Sequence, residues 1–260
     1  MTWDALSSNS LHYVQSDVET RAFGVETARI IVGANAPDNL EMVERFSAIV
    51  SQASEHVLIV RWPAHLTSIG IALSQSGRRI YPADTLMYWD VATPDLTQHR
   101  THRHDLDLLP LSEAGTSSAE LERLVGEVFV HYVNHYSANP LLAHVPVARG
   151  YCDWVRRRSE DAPDDALVLM AECGSIGFAL VNGGIDRGNL EVELAGVTAA
   201  YQGKHAYESM LVGLGTVAAA RDLPRLVIST QAQNIRAQRA WSKAGLRPLA
   251  AIATAHANLR

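Results

Sequence analysis

Apolar residues recur along this chain at more than one spacing, and the spacing changes from segment to segment. After Asp38, the residues Leu40, Val43, Phe46, Ile49 and Val50 fall at the intervals of one helix face, which predicts a helix there. The run before it, Ala28-Arg29-Ile30-Ile31-Val32, reads as a strand. The run after it, His56-Val57-Leu58-Ile59-Val60-Arg61, is short and apolar, suited to a buried strand, and Trp62-Pro63 ends it. A helix is expected over 64–74, stopped near Gly77, and then a strand over 84–91, ended by Pro94. Strand and helix alternate, so this part reads as a small α/β unit with a mixed or parallel sheet.

A polar, irregular stretch over 94–118 interrupts the pattern and contains Gln98-His99-Arg100-Thr101-His102-Arg103-His104-Asp105. Histidines and an aspartate this close raise the question of a metal. Their spacing matches no standard zinc signature and arginines stand among them, so a solvated linker or edge strand is expected, with no metal. The stretch also supplies the expected boundary, between a first lobe over 1–110 and a second over 111–260. The second lobe opens with a predicted helix over 118–136. It has a serine N-cap, Glu120 and Glu122 in its first turn, and Leu121, Leu124, Val125, Val128 and Tyr132 along one face. Asn139-Pro140 ends it. A short helix over 147–158 carries Tyr151, Trp154 and Val155. Strands over 166–172 and 175–181, joined at Cys173-Gly174, read as an antiparallel hairpin. A turn from Gly183-Gly184 to Gly188 leads to a strand over 190–197. Helix 206–221, strand 225–230 and helix 234–244 follow, with Gly245 placed as a C-terminal cap.

Composition narrows the reading. The chain has 260 residues, 47% hydrophobic and 19% charged, which is ordinary globular composition with room for a sizeable core. Its net charge of −6 gives no bulk attraction to nucleic acid or to an anionic membrane, so an anionic ligand needs local donors. No apolar run approaches the ~18 residues of a spanning helix. The N-terminus lacks a secretory pattern, and the cysteines, Cys152 and Cys173, make no disulfide framework. A soluble cytoplasmic protein is expected, with both thiols as packing groups.

The segment with the most chemistry runs strand, loop, helix. Gln202-Gly203-Lys204-His205 sits directly before the helix that begins near Ala206 and Tyr207. Backbone N–H groups at a helix start have no intrahelical partner and point outward with the positive end of the dipole, which suits a pyrophosphate. Gly203 can take positive φ and Lys204 adds charge. After the next strand comes Asn234-Ile-Arg-Ala237-Gln-Arg-Ala-Trp241-Ser-Lys-Ala-Gly245-Leu246.

These motifs resemble the GCN5-related N-acetyltransferase superfamily, whose signature has Gln/Arg-x-x-Gly-x-Gly/Ala after the fourth strand and an Asn-to-Gly-Phe pattern after the fifth. The strand and helix order of the second half matches as well, and the first half looks like a smaller, degenerate copy of the same α/β fold. That arrangement resembles nucleotide-sugar N-acyltransferases of the TDP-fucosamine acetyltransferase type. The resemblance implies acetyl-coenzyme A or another acyl-coenzyme A as co-substrate. Backbone groups of Ala195 and Val197, on a strand splayed from its neighbour, would pair with the pantetheine arm. Gln202, Gly203, Lys204, His205, Ala206 and Tyr207 would hold the pyrophosphate, and Asn234 would contact the coenzyme beyond it. Two departures stand out. The consensus small residues of the loop are His205 and Tyr207, and the tyrosine that protonates the leaving thiolate is Trp241. An indole N–H is not a useful acid. Another group or water then protonates the sulfur, or the thiolate leaves unassisted, and Trp241 is expected to pack against the coenzyme.

Glu191 and Glu193 lie two apart on one strand face, and either can serve as the general base. Glu191 falls where some family members carry one. The acceptor is expected at His131, Tyr132, His135, Tyr136 and Asn139, side chains that suit sugar hydroxyls, with His135 in reserve as base. The expected acceptor is a small amine, above all an amino sugar on a nucleotide. Another metabolite amine and a non-catalytic acyl-coenzyme A binder remain open. No nucleic acid or membrane partner is expected, and the chain would be a monomer or homodimer.

Overall fold

The computed structural model describes residues 3–97, 105–183 and 188–260. Most of the histidine-rich run, 98–104, and part of the glycine-rich turn, 184–187, lie outside the described residues. The elements in chain order are α1 (Trp3–Leu6), β1 (Leu11–Gln15), α2 (Asp17–Phe23), β2 (Thr27–Val32), α3 (Leu40–Gln52), β3 (Val57–Pro63), α4 (Thr67–Ser74) and β4 (Arg79–Ala92). Then come α5 (Thr93–Thr97), β5 (Asp107–Pro110), α6 (Leu111–Ala114), α7 (Ser118–Phe129), α8 (Val147–Asp161), β6 (Ala166–Ala171), β7 (Gly174–Asn182) and β8 (Leu190–Val197). The last four are α9 (Ala206–Ala220), β9 (Arg225–Gln231), α10 (Ile235–Lys243) and β10 (Arg247–Asn258).

The chain forms two compact units: Met1–Met87 with Val133–Val145 and Ala250–Arg260, and Tyr88–Tyr132 with Pro146–Leu249. This differs from the boundary expected at 110/111. The reason is backbone pairing. Residues 252–258 of β10 run antiparallel to β3, from Ile252↔Pro63 to Asn258↔Val57, which binds the C-terminal segment to the first unit. Leu142 packs on Val57 and Ile59 and brings its own segment along.

In the first unit β1 and β2 are antiparallel and β2 and β3 parallel. Alternate residues Ala28, Ile30, Val32, Leu58 and Val60 face α3 and α4, burying Phe46, Val50, Ile69 and Leu73 between them. Asn39 caps α3 by accepting from the Met42 N–H at 2.9 Å. In the second unit β5, β6, β7 and β8 are successive antiparallel neighbours, and β9 joins β8 in parallel. The β6–β7 hairpin turns at Gly174, whose φ of +110 is open to glycine. Helices α7 and α8 cover one face, burying Leu121, Leu124, Val125, Phe129 and Val155 against Val168, Phe178 and Leu180.

The helix expected over 118–136 stops at Phe129. Asn134 takes an extended conformation and its side chain accepts from the Tyr136 N–H, so a new short turn, His135–Ala138, begins there. An asparagine that bonds nearby backbone competes with the helix ladder in this way. As a result His131 and His135 do not share a helix face.

Candidate active site

Strands β8 and β9 pair only through Leu190↔Leu226, Glu191↔Val227 and Val192↔Ile228. β8 continues to pair with β7 as far as Gly177↔Val197. From 193 to 197 its other edge therefore carries no ladder partner from β9, and Ala195 and Val197 lie on that stretch. Five residues of strand span about 16 Å. The β7–β8 register also shifts between Leu180 and Val181, so that Leu180 faces Leu194 while Val181 faces Val192. Glu193 is the extra residue of this bulge, and a bulge bends and twists the strand that holds it.

The free edge of β8 runs into a short turn, Ala199–Tyr201, and then into the loop that starts α9. Gly203 has φ +74, and His205 adopts φ +61. The left-handed region costs a non-glycine residue about 1 kcal/mol or more. The His205 carbonyl accepts from both the Ser209 N–H at 3.0 Å and its hydroxyl at 3.1 Å, which helps hold that conformation. No side chain caps α9, so its first-turn N–H groups are left for solvent or an anion. Gln202, Gly203, Lys204 and His205 are exposed, whereas Ala206 is buried. The Lys204 Nζ lies 5.6 Å from the Tyr201 ring centre. Arg236 on α10 donates to Gln202 Oε1 at 2.5 Å, which ties the loop to the next helix. Sequence reasoning missed that link, although Arg236 stands two residues after Asn234.

Asn234 accepts from the Ala237 N–H at 3.3 Å and donates to Thr230 Oγ1 at 2.9 Å. Its side chain is the N-cap of α10, a local role beside the one expected toward a coenzyme. Trp241 is 1% exposed. Its ring meets Trp89 edge-on with centres 6.1 Å apart, and its indole N–H donates to the Tyr207 hydroxyl oxygen at 3.1 Å. Burial pushes the Tyr207 phenol up to about 12, against the opposing pull of that hydrogen bond.

Glu191 is buried and faces Asn182 across the ladder, and the Asn182 amide reaches Glu193 Oε1 at 3.3 Å. Residues opposite one another share a face, so both carboxylates lie on one side of the sheet. Glu193 Oε2 is 3.6 Å from Arg158 Nε on α8. Arg158 is also within 3.4 Å of Asp165, which pairs with Arg221 at 2.7 Å. Glu193 thus belongs to an ion-pair chain, which the spacing of residues did not reveal.

The five residues expected around the acceptor are divided between the two units. In the second unit His131 is exposed, and Tyr132 packs its ring on Phe129 at 5.0 Å and Tyr151 at 6.0 Å. In the first unit His135, 8% exposed, contacts His256 through Nδ1 and Nε2 at 2.9 Å. Burial, then the charges of Arg61, His256 and Arg29, hold its pKa well below the usual imidazole range, and burial takes His256 to about 4. Tyr136 donates to Glu19 at 2.8 Å, and Asn139 and Asn258 exchange amide hydrogen bonds at 2.7 and 3.0 Å. These side chains form a polar interior. Among the described residues, no group of His, Cys, Asp and Glu is arranged to hold a metal ion, and no helix is long and apolar enough to cross a membrane.

No protein-family model matches the chain, and no curated protein sequence does. Solved structures do. One is a GCN5-related N-acetyltransferase from Sphaerobacter thermophilus, with a TM-score of 0.62 at 12% identity over 96% of this chain and 77% of that one. A tandem GNAT protein from the clavulanic acid biosynthesis pathway matches with a TM-score of 0.56 at 12% identity, over 90% of this chain and 76% of that one. A glucosamine N-acetyltransferase region within a fungal multi-domain β-N-acetylglucosaminidase has a TM-score of 0.56 at 11% identity, over 95% of this chain and 31% of that one. Diverging parallel strands, an uncapped helix start at the end of one of them, and these likenesses together show that the chain has the fold of the GCN5-related N-acetyltransferases.

Proposed function

We propose that the second unit transfers an acyl group from acyl-coenzyme A to the amine of a small acceptor. The observation that carries this reading is the divergence of β8 from β9 after Val192, followed at once by the uncapped start of α9. An extended pantetheine arm can complete the ladder that β9 leaves open, bonding to backbone near Ala195 and Val197. Its pyrophosphate then falls at Gly203, Lys204 and the first turn of α9, where outward N–H groups and the helix dipole meet it.

The chemistry follows from that placement. The amine lone pair attacks the thioester carbon, a backbone N–H near Ala195 stabilises the oxyanion, and the carbon–sulfur bond breaks with its electron pair on sulfur. Alignment of two bound reactants can supply about 7 kcal/mol of the barrier. Glu191, acting through water, is the proposed base, at the position where the resemblance puts a general-base glutamate.

For the acceptor, an amino sugar on a nucleotide is the first choice. His135 and Asn139 are buried and the Tyr136 hydroxyl is bonded to Glu19, so the support for this choice is the tandem GNAT protein and the glucosamine N-acetyltransferase region among the structural neighbours. A different metabolite amine is the second reading, favoured by the neighbour from clavulanic acid biosynthesis. The test is mass spectrometry of products formed from acetyl-coenzyme A with TDP-linked amino sugars, the same sugars without nucleotide, and unrelated metabolite amines. Faster acylation of the nucleotide-linked sugars supports the first reading, and faster acylation of another amine replaces it with the second. Coenzyme A binding without turnover of any amine would leave a non-catalytic binder.

A further inference from the structure

Backbone pairing fixes which groups the open edge of β8 offers. The Thr198 N–H donates to the Ile176 carbonyl oxygen at 2.9 Å, so these two residues form a hydrogen-bonded pair of the β7–β8 ladder. Pair types alternate along an antiparallel ladder. Gly177↔Val197 and Ala179↔Ala195 are therefore pairs of the other type. The N–H and C=O groups of Ala195 and Val197 point away from β7, to the side that β9 leaves after Val192. One of these groups is already engaged. The turn Ala199–Tyr201 folds the chain back, and Gln202 Nε2 donates to the Val197 carbonyl oxygen at 3.4 Å. The same carboxamide accepts from Arg236 Nη1 at 2.5 Å through Oε1. One side chain thus gives a donor to the strand edge and an acceptor to a cation on α10. Gln202 and Arg236 are both exposed, so their contacts can be exchanged for others at small net cost.

We propose that the Gln202 side chain is a place-holder for the coenzyme, and that Arg236 turns to the coenzyme's phosphates once Gln202 is displaced. The inference rests on the acyl-coenzyme A reading of the same cleft. The ligand carries both kinds of group that the carboxamide offers, amide N–H groups along the pantetheine arm and acceptor oxygens on its phosphates. A pantetheine N–H that takes the Val197 carbonyl approaches from the edge where Gln202 Nε2 now stands, so Gln202 must leave. Arg236 then exchanges a neutral acceptor for an anionic one, and charge-assisted hydrogen bonds are about twice as strong as neutral ones. The arm alone competes with Gln202 and gives Arg236 nothing in return. The intact coenzyme offsets the lost contact through its phosphates. The pair therefore selects the nucleotide-bearing thioester over a phosphate-free pantetheine thioester, a part of specificity that lies at Arg236 and Gln202 rather than in the acyl group.

The experiment needs no acceptor. Pantetheine and coenzyme A are titrated separately into the isotope-labelled whole chain, and binding is followed by nuclear magnetic resonance, which reads weak affinities. Wild type is compared with Gln202→Ala and Arg236→Ala. Alanine at 202 keeps the loop backbone and removes only the carboxamide. Pantetheine should bind Gln202→Ala tighter than wild type by about threefold or more, the weight of one hydrogen bond. Arg236→Ala should separate the two probes. Pantetheine should bind it at least as well as wild type, whereas coenzyme A should bind it about tenfold more weakly for want of a charged partner. A tie with only a structural role would weaken both probes in both variants. Suppose wild type binds coenzyme A, but pantetheine binds Gln202→Ala no tighter than wild type or binds neither chain. That result, or an equal loss of both probes in Arg236→Ala, would overturn the place-holder and leave the acyl-coenzyme A reading standing. A wild-type chain that does not bind coenzyme A would overturn both.

Discussion

Glu191 and Glu193 stand on one face of β8 in different company. Glu193 meets Arg158 and Asn182, so its removal should be felt in stability more than in chemistry. We expect Glu193→Gln to keep most of kcat while lowering the melting temperature. Glu191→Gln should lose kcat by ~10²-fold, the usual contribution of a general base, with a flattened acid limb in its pH–rate profile. The reverse pattern would exchange the two assignments. Trp241→Phe should keep kcat within about tenfold, since the indole packs against Trp89 and transfers no proton. A loss above ~10²-fold with unchanged coenzyme affinity would give Trp241 a direct chemical part. The spacing of Glu191 and Glu193 was legible in the sequence, whereas Trp241 was expected against a coenzyme and its ring meets Trp89. Their partners were not legible, because Arg158 and Tyr207 reach them from other elements.

At the scale of elements, the second unit was the more legible half. Its strands are long apolar runs, and Ser117 forms a capping box with Glu120, whose carboxylate accepts from the Ser117 N–H at 2.8 Å. Ser117→Ala should cost about 1 kcal/mol, seen as a melting temperature lower by about 2–3 °C. An unchanged melting temperature would mean that tertiary packing alone sets the start of α7. Strand β10 went unread because Ala250-Ala251-Ile252-Ala253-Thr254-Ala255-His256-Ala257 alternates in alanines, which are weak strand formers. Strand β5 is only four residues in a polar stretch. The divergence of β8 and β9 came from the resemblance alone, since no single strand's composition encodes where it parts from a neighbour.

At the scale of the whole molecule, the second unit holds the cleft proposed for the coenzyme, and the first holds a buried polar interior with a pH dependence of its own. His135 and His256 ionise less readily folded than unfolded, since burial disfavours their charge. A histidine with a lowered folded pKa binds more protons when unfolded. Its stabilising contribution is therefore complete above the unfolded value near ~6.5 and declines as pH falls toward about 4, the folded value of His256. Urea midpoints should accordingly drop between pH 7 and 5, and His256→Gln should shrink that drop. A midpoint constant over this range would mean that the pair is solvated. The cleft is tested most directly by calorimetric titration of coenzyme A into wild type and Gly203→Glu, with folding of the variant checked by circular dichroism. Bulk and negative charge where the pyrophosphate belongs should weaken binding at least tenfold, or ~1.4 kcal/mol. Equal affinity in a folded variant, or no heat of binding with wild type, would contradict the account.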